Sequence, residues 1–317
     1  LEEWTGFLET ARRGPHGTWG MQMEGLVVAT SGWEFLLPSH RRLRWSVLGE
    51  KTIGRHQLGL RADLVGTDQV GHTEPLYNSE GTVVGLDERA EAMQRLIPGG
   101  MASWLVKLEP ESSDWSGTAS VSAYTRAPSN YELGAHGIHH GTFRFEQGNA
   151  ALQSEKAVEV RFQAISESTS EKLNWRVQAF SALHRDFIAL APSGTFAPIS
   201  HAGQVYIFEA VNAFRTGLEA SLKTTKGAWS ASADGALLGQ WDVATGLGLP
   251  FTTPAQVNAT IGRSLRENHH LTVSCRGIAD ATLTARNEAP TEGVLLWGLG
   301  WSLARNAGTW SINLHNA

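Results

Sequence analysis

The sequence holds little of what usually braces a small fold or marks an active site. Among its 317 residues is one cysteine, Cys275, so no disulfide can close within the chain. No run of about 18 apolar residues occurs, which removes a membrane-spanning helix. Neither sign of charge dominates: 26 Lys and Arg face 31 Asp and Glu, for a net charge of −5. That balance excludes the basic footprint of a nucleic-acid binder and the acidic bias of a disordered tail. The chain opens LEEWTGFLET, without an initiator Met or an apolar leader, which fits a processed chain or a piece of a longer one.

Catalytic signatures are equally scarce. No Gly-x-Ser-x-Gly elbow is present, and GTWG and GLGW precede no helical pattern that would make them phosphate loops. Cys275 shares parity with Leu271 and Val273, which aims it into apolar surroundings where a thiol is inert. The carboxylate pairs Glu2-Glu3 and Glu109/Glu111 have no partner that would mark acid–base work. The expectation is a protein that is not an enzyme.

What the chain does have is two-residue alternation. In GRHQLGLRADL, Leu58, Leu60, Ala62 and Leu64 alternate with Gln57, Arg61 and Asp63. In AVEVRFQA, Val158, Val160, Phe162 and Ala164 alternate with Glu159, Arg161 and Gln163. The same device returns in Leu173/Trp175/Val177/Ala179/Leu183 against Lys172, Asn174, Arg176 and Gln178, in Leu271/Val273/Cys275, and in Trp310/Ile312/Leu314. Strands place successive side chains on opposite faces, so each segment has one apolar and one polar face. Turn signals such as TKGAW, SLRENHH and ARNAGTW separate neighbouring runs, as in up-and-down hairpins. The pattern predicts an all-β fold of about fourteen strands, many of ~9–12 residues, longer than the usual ~5–6. VGLDERAEAMQRLIP alone reads as briefly helical or as loop.

Alternation does not say which face is inside. A soluble sandwich hides its apolar face between two sheets. A transmembrane barrel turns it to lipid, with ~9–11-residue strands, short turns at one end and long loops at the other. Strand length favours the barrel, as do the long insertions 66–98, 126–154 and 186–204. Trp4, Trp33, Trp115 and Trp229 near strand ends suit an interfacial girdle.

One stretch is more specific. Arg126-Ala127-Pro128, Glu132-Leu133, the His136-Gly137-x-His139-His140 cluster, Gly148-Asn149-x-x-Leu152 and Glu155-Lys156 follow one another within about thirty residues. Gly217-Leu218-Glu219 opens a later strand, a Pro-centred loop precedes HRRLRWSVLGEK, and the chain closes on TWSINLHNA. This order resembles the C-terminal barrel portion of TonB-dependent outer-membrane receptors, especially the branch with zinc- and haem-uptake receptors.

The resemblance implies an antiparallel up-and-down transmembrane β-barrel in the bacterial outer membrane. The chain would be partial or reduced relative to a 22-stranded receptor, with residues 1–317 as one barrel domain and nothing that reads as a plug. It implies binding and uptake of a metal or metal chelate, with Arg126, Glu132, His136, His139 and His140 contacting substrate on an extracellular loop. Zn²⁺ would be held by His136, His139 and His140 with Glu146 (or Glu132) as oxygen ligand, the i, i+3/i+4 spacing converging in a turn. Haem held by one axial His is the competing cargo, and a merely solvated loop is the plainest reading of the three histidines. His184, His201 and His269-His270 read as polar lumen or loop residues. Outer-membrane lipid is the expected surrounding. A TonB-type energising protein is a partner if a plug exists elsewhere on the chain, and nucleic acid is not a partner. Two alternatives stay open: a receptor-derived barrel that has lost transport and serves an envelope complex, and a soluble all-β module binding carbohydrate or protein.

Overall fold

The computed structural model describes residues 2–15, 17–31, 36–110, 114–166, 173–197, 203–266, 268–306 and 308–316. Trp33, Glu111, Lys172 and His201 lie outside them. The chain runs β1 (Glu2–Gly14), β2 (Gly17–Ala29), β3 (His40–Ile53), β4 (His56–Gln69), β5 (His72–Tyr77), β6 (Val83–Ala90), β7 (Met93–Leu108) and β8 (Ser116–Arg126). A short helix α1 (Asn130–Gly134) and two small strands, β9 (His136–His139) and β10 (Arg144–Gln147), follow. Then come β11 (Glu155–Ser166), β12 (Asn174–Phe196), β13 (Gln204–Lys226), β14 (Trp229–Asp242), β15 (Gln256–Arg266), β16 (His269–Ile278), β17 (Val294–Arg305) and β18 (Gly308–His315).

Fourteen of these strands form one antiparallel up-and-down wall in the order β1-β2-β3-β4-β7-β8-β11-β12-β13-β14-β15-β16-β17-β18. Among the described residues β1 and β18 are not paired with each other, so the wall is a partial barrel. One end carries tight hairpins. Ile53 pairs His56 and Lys226 pairs Trp229, leaving two-residue turns. Gly54 (φ 58°) and Gly227 (φ 57°) open those turns in the left-handed region that a β-carbon disfavours. The opposite end carries the long connections.

Register decides which face is which. Trp45 pairs Leu64, Leu60 pairs Ala102, Val158 pairs Leu183, Leu218 pairs Leu237, Ile261 pairs Val273, and Trp301 pairs Ile312. Directly opposed residues share a face, so the apolar half of every alternation falls on one side of the whole wall. That side is exposed: Leu60 is 67% accessible and Trp310 71%. The other side carries the polar half, closed into pairs. Arg61 Nε donates to Asp63 at 2.8 Å, Ser46 to the same carboxylate at 2.5 Å, and Arg161 bridges Glu159 at 2.9 Å. An apolar belt of this extent is far beyond the few hundred Å² a water-soluble monomer exposes. Leaving a Leu or Phe in water forgoes about 1.5–3 kcal/mol each. The polarity is that of a transmembrane barrel, apolar outward and polar toward the lumen, and it removes the sandwich, which would bury this belt between sheets.

The expected girdle is met by Trp4 and Trp229, both exposed, while Trp115 is half-buried. Cys275 sits on the outward face opposite Trp297. Three expectations are corrected. VGLDERAEAMQRLIP is not helical: it spans β6 and the start of β7, because ladder pairing with β5 and β4 outweighs the helix propensity of its Glu, Ala and Met. The insertions 66–98 and 186–204 are mostly strand. The first is largely the separate β5–β6 hairpin, and of the second the described residues 186–196 belong to β12 and Gln204 to β13, which run 23 residues each and project beyond the rest of the wall. The helix that does exist, α1, falls where no helix is expected.

Candidate functional site

The segment 127–154 at the long-connection end is the candidate site, and it is built as a packed crown. Ser129 starts α1 with a capping box: its Oγ accepts the Glu132 amide at 3.2 Å, and Glu132 Oε2 accepts the Ser129 amide at 2.7 Å. The box sits just after Arg126-Ala127-Pro128, whose proline cannot continue the β8 ladder. Asn130 Nδ2 donates to Thr67 on β4 at 2.6 Å, and Arg42 on β3 donates to the Pro128 carbonyl at 2.7 Å. The helix is thereby tied to the lumen side of the wall. Leu133, Ala135 and Leu152 close a core with Ile188 and Phe208 from the projecting parts of β12 and β13. Gly148 passes so close to the end of α1 that a β-carbon there would meet its backbone, and its amide donates to Ala135 O at 2.6 Å.

Beyond α1, β9 and β10 form a small antiparallel ribbon, and β10 pairs in parallel with β13, Glu146 opposite Tyr206. β13 therefore has β14 as neighbour along its lower half and β10 along its upper end. Arg144 lies over the stacked rings of Tyr206 and Phe251, 4.9 Å from each centroid. Glu288 Oε1 accepts the Phe251 amide at 3.1 Å, and Asn287 Nδ2 donates to Pro192 O at 3.1 Å. Three long connections are thus fastened to one another. Between the β12–β13 projection and connections 242–250 and 285–287 lies a cavity of about 670 Å³, with Glu209, Asp242 and Arg286 at its wall.

The predicted site residues are distributed among different jobs. Arg126 bridges Glu132 and Glu155, each at 2.9 Å, and Glu155 Oε1 also meets His184 Nδ1 at 3.0 Å. Both charges singled out for substrate contact therefore also hold α1 to β8, β11 and β12. His184, expected as a polar lumen residue, is buried and partnered by that carboxylate. The histidines do not converge as a turn would bring them, since His136 and His139 belong to a strand and fall on opposite faces of it. His136 stands edge-on to Phe145, its backbone tied to Leu36 O at 2.9 Å. Burial and then the neighbouring Arg89 hold its imidazole below the usual histidine range.

His139 shares its face with Arg144 and Glu146, and its Nδ1 is buried without a hydrogen-bond partner. His140 is exposed at the turn. Glu146 is fully buried, neither carboxyl oxygen accepts a hydrogen bond, and Arg144 Nε stands 3.4 Å away without donating one. Burial raises its carboxyl to about 7. Among the described residues no three His, Cys, Asp or Glu side chains come together as a metal-holding group. Sequence reasoning passed over Tyr206, Phe251 and Glu288, which secure the crown. Tyr206 and Phe251 lie more than fifty residues from the ribbon they touch, Glu288 reaches it only through Phe251, and none carries a local signal.

No family model and no curated protein sequence matches the chain. Solved structures do. The chain superposes on the copper transporter OprC with a TM-score of 0.72 at 14% identity, covering 99% of this chain and 50% of that one. The FrpB iron transporter from Neisseria meningitidis gives 0.60 at 11% identity, over 98% and 50%. The ferric-catecholate import receptor Fiu from K12 E. coli gives 0.60 at 13% identity, over 99% and 50%.

The fold is that of an outer-membrane receptor barrel. At these identities the likeness speaks for the fold alone, and the chain spans about half the length of those structures, as a partial wall should. Those proteins are named for copper and for iron in more than one form, so the likeness does not single out a zinc- and haem-uptake branch.

Proposed function

We propose that this chain forms part of the wall and the outer mouth of a TonB-dependent-type receptor in the bacterial outer membrane, taking up a metal ion or metal chelate. The observation that carries this reading is the inverted polarity of the wall, one continuous apolar face outward and a polar face with paired charges inward. The likeness to copper and iron transporters adds the cargo class. Within the crown, His139 and Glu146 share a face and hold buried polar atoms without partners, and His140 stands exposed beside them. These three are the residues best placed to meet a cation such as Zn²⁺ or the iron of haem. His136, on the other face, serves the ribbon. Arg126 and Glu132 serve the cargo by holding the crown in position. Outer-membrane lipid surrounds the belt, and a TonB-type protein is a partner if a plug is carried elsewhere on the polypeptide.

The test uses the complete polypeptide extracted from membranes in detergent. Equilibrium binding is measured for Cu²⁺, Zn²⁺, haem and a ferric catecholate. At least one should bind, and replacing His139 and His140 together by Ala should weaken it roughly tenfold or more. A protein that needs no detergent, or that binds none of the four, overturns the proposal.

A further inference from the structure

The outward face carries few charges, most of them near the strand ends, and at the crown end two like charges stand together. Lys156 on β11 and Arg185 on β12 are directly opposed in the ladder, and the next outward pair below them is Val158 with Leu183. Two cations thus stand side by side where the apolar belt ends. Like charges directly opposite one another destabilise an antiparallel pair. Arg185 is 77% exposed, with Asp186 only at 3.7 Å, and Lys156 makes no ion pair among the described residues. At the same end and on the same face, Arg41 opposes Asp68. That register sets opposite charges against each other, whereas Lys156 and Arg185 set two like charges together, with Asp186 at 3.7 Å from Arg185 as the one counter-charge among the described ion pairs.

The wall is hollow around the two cations and below them. Gly100, Ala102 and Ala123 supply the outward positions of β7 and β8, and their small size leaves a recess of about 1320 Å³ bounded by Leu96, Val158 and Leu183. A cationic pair over an apolar recess matches a molecule with an anionic head and hydrocarbon directly below it. Basic residues beside a membrane recognise anionic headgroups in this way, and a cation near the interface costs little compared with one at the bilayer centre.

We propose that Lys156, Arg185 and this recess hold a phosphate-bearing membrane lipid, its phosphate between the two side chains and its acyl chains in the recess. The proposal rests on the reading that this face meets lipid. Binding is a matter of location and charge, and no bond is made or broken.

The test is native mass spectrometry of the complete protein in detergent, titrated with bisphosphorylated lipid A. Folding is checked for every variant by its heat-modifiable migration. Wild-type protein should retain the lipid, and Lys156→Ala with Arg185→Ala should lower retention about tenfold. The paired control Arg41→Ala with Asp68→Ala, at the same end, should leave it unchanged. Ala123→Trp keeps both cations and fills the recess, and it too should lower retention.

Equal retention by the double variant overturns the proposal. So does equal binding of dephosphorylated lipid A, which would make the recess a purely apolar contact. Full displacement by millimolar inorganic phosphate would make it a site for free anion and also overturns it. A chain that stays folded in solution without detergent would instead sink the membrane reading, a distinguishable failure.

Discussion

The wall and the crown obey opposite rules. In the wall, Leu60, Val160 and Trp310 are exposed and Arg61 and Asp63 are half-buried on the other face, while in the crown Leu133 and Leu152 are buried beside Ile188 and Phe208 as in a water-soluble core. One chain therefore answers to two solvents. The wall draws its stability from ladder hydrogen bonds that hydrocarbon makes obligatory. The crown is held by apolar packing and a few charge-assisted bonds, Arg126 with Glu132 and Glu155 among them.

The contrast predicts where substitutions will act. Leu133→Ala should cost the crown about 2–5 kcal/mol and leave the wall intact: amide exchange should accelerate at 127–154 and not in β3 or β4. Loss of the whole fold would mean that the two regions are one cooperative unit. Leu60→Arg places a charge in the middle of the belt and should cost about 2–4 kcal/mol in a bilayer, read as a lower urea midpoint in vesicles. Little effect there would contradict the assignment of the outward face.

Glu146→Gln tests the buried carboxyl. Its protonation is displaced from the ordinary 4.5 to about 7, so the folded form holds the proton more tightly than the unfolded one. The stability this confers is complete below about pH 4.5 and is lost as pH rises through about 7. Wild-type crown should therefore loosen between about pH 4.5 and 7, by roughly 3 kcal/mol at most, and the Gln variant should lose that fall and keep only the opposite trend that the lowered His136 leaves. The smallest change, Ser129→Ala, removes one half of the capping box and should cost about 1 kcal/mol, visible as faster exchange at the first turn of α1 alone.

Much of the wall was legible before any coordinates. Leu58-x-Leu60-x-Ala62-x-Leu64 can only be a two-faced strand, and about fourteen such runs match the fourteen strands of the wall. Which face meets water was not legible, because period two is the same for a sandwich and for a barrel. The crown was harder. Ser129-x-x-Glu132 spells a capping box, but a five-residue helix has too few turns to show a period. The histidine spacing suits a turn, and the backbone there is a strand, so His136 and His139 part company. Glu146 is buried because Tyr206, sixty residues on, lies alongside it, a fact no local window contains.

That alliance between β10 and β13 also bears on the order in which the molecule is assembled. Every pair in the wall joins strands that are neighbours along the chain or separated only by an insertion, and can zip up progressively. The parallel contact of Phe145 with Val205 must wait until β11, β12 and β13 have been laid down between them. Closing so long a loop is slow and has no reward until it is complete. The crown is therefore the last part to set, a clasp fastened after the wall is standing.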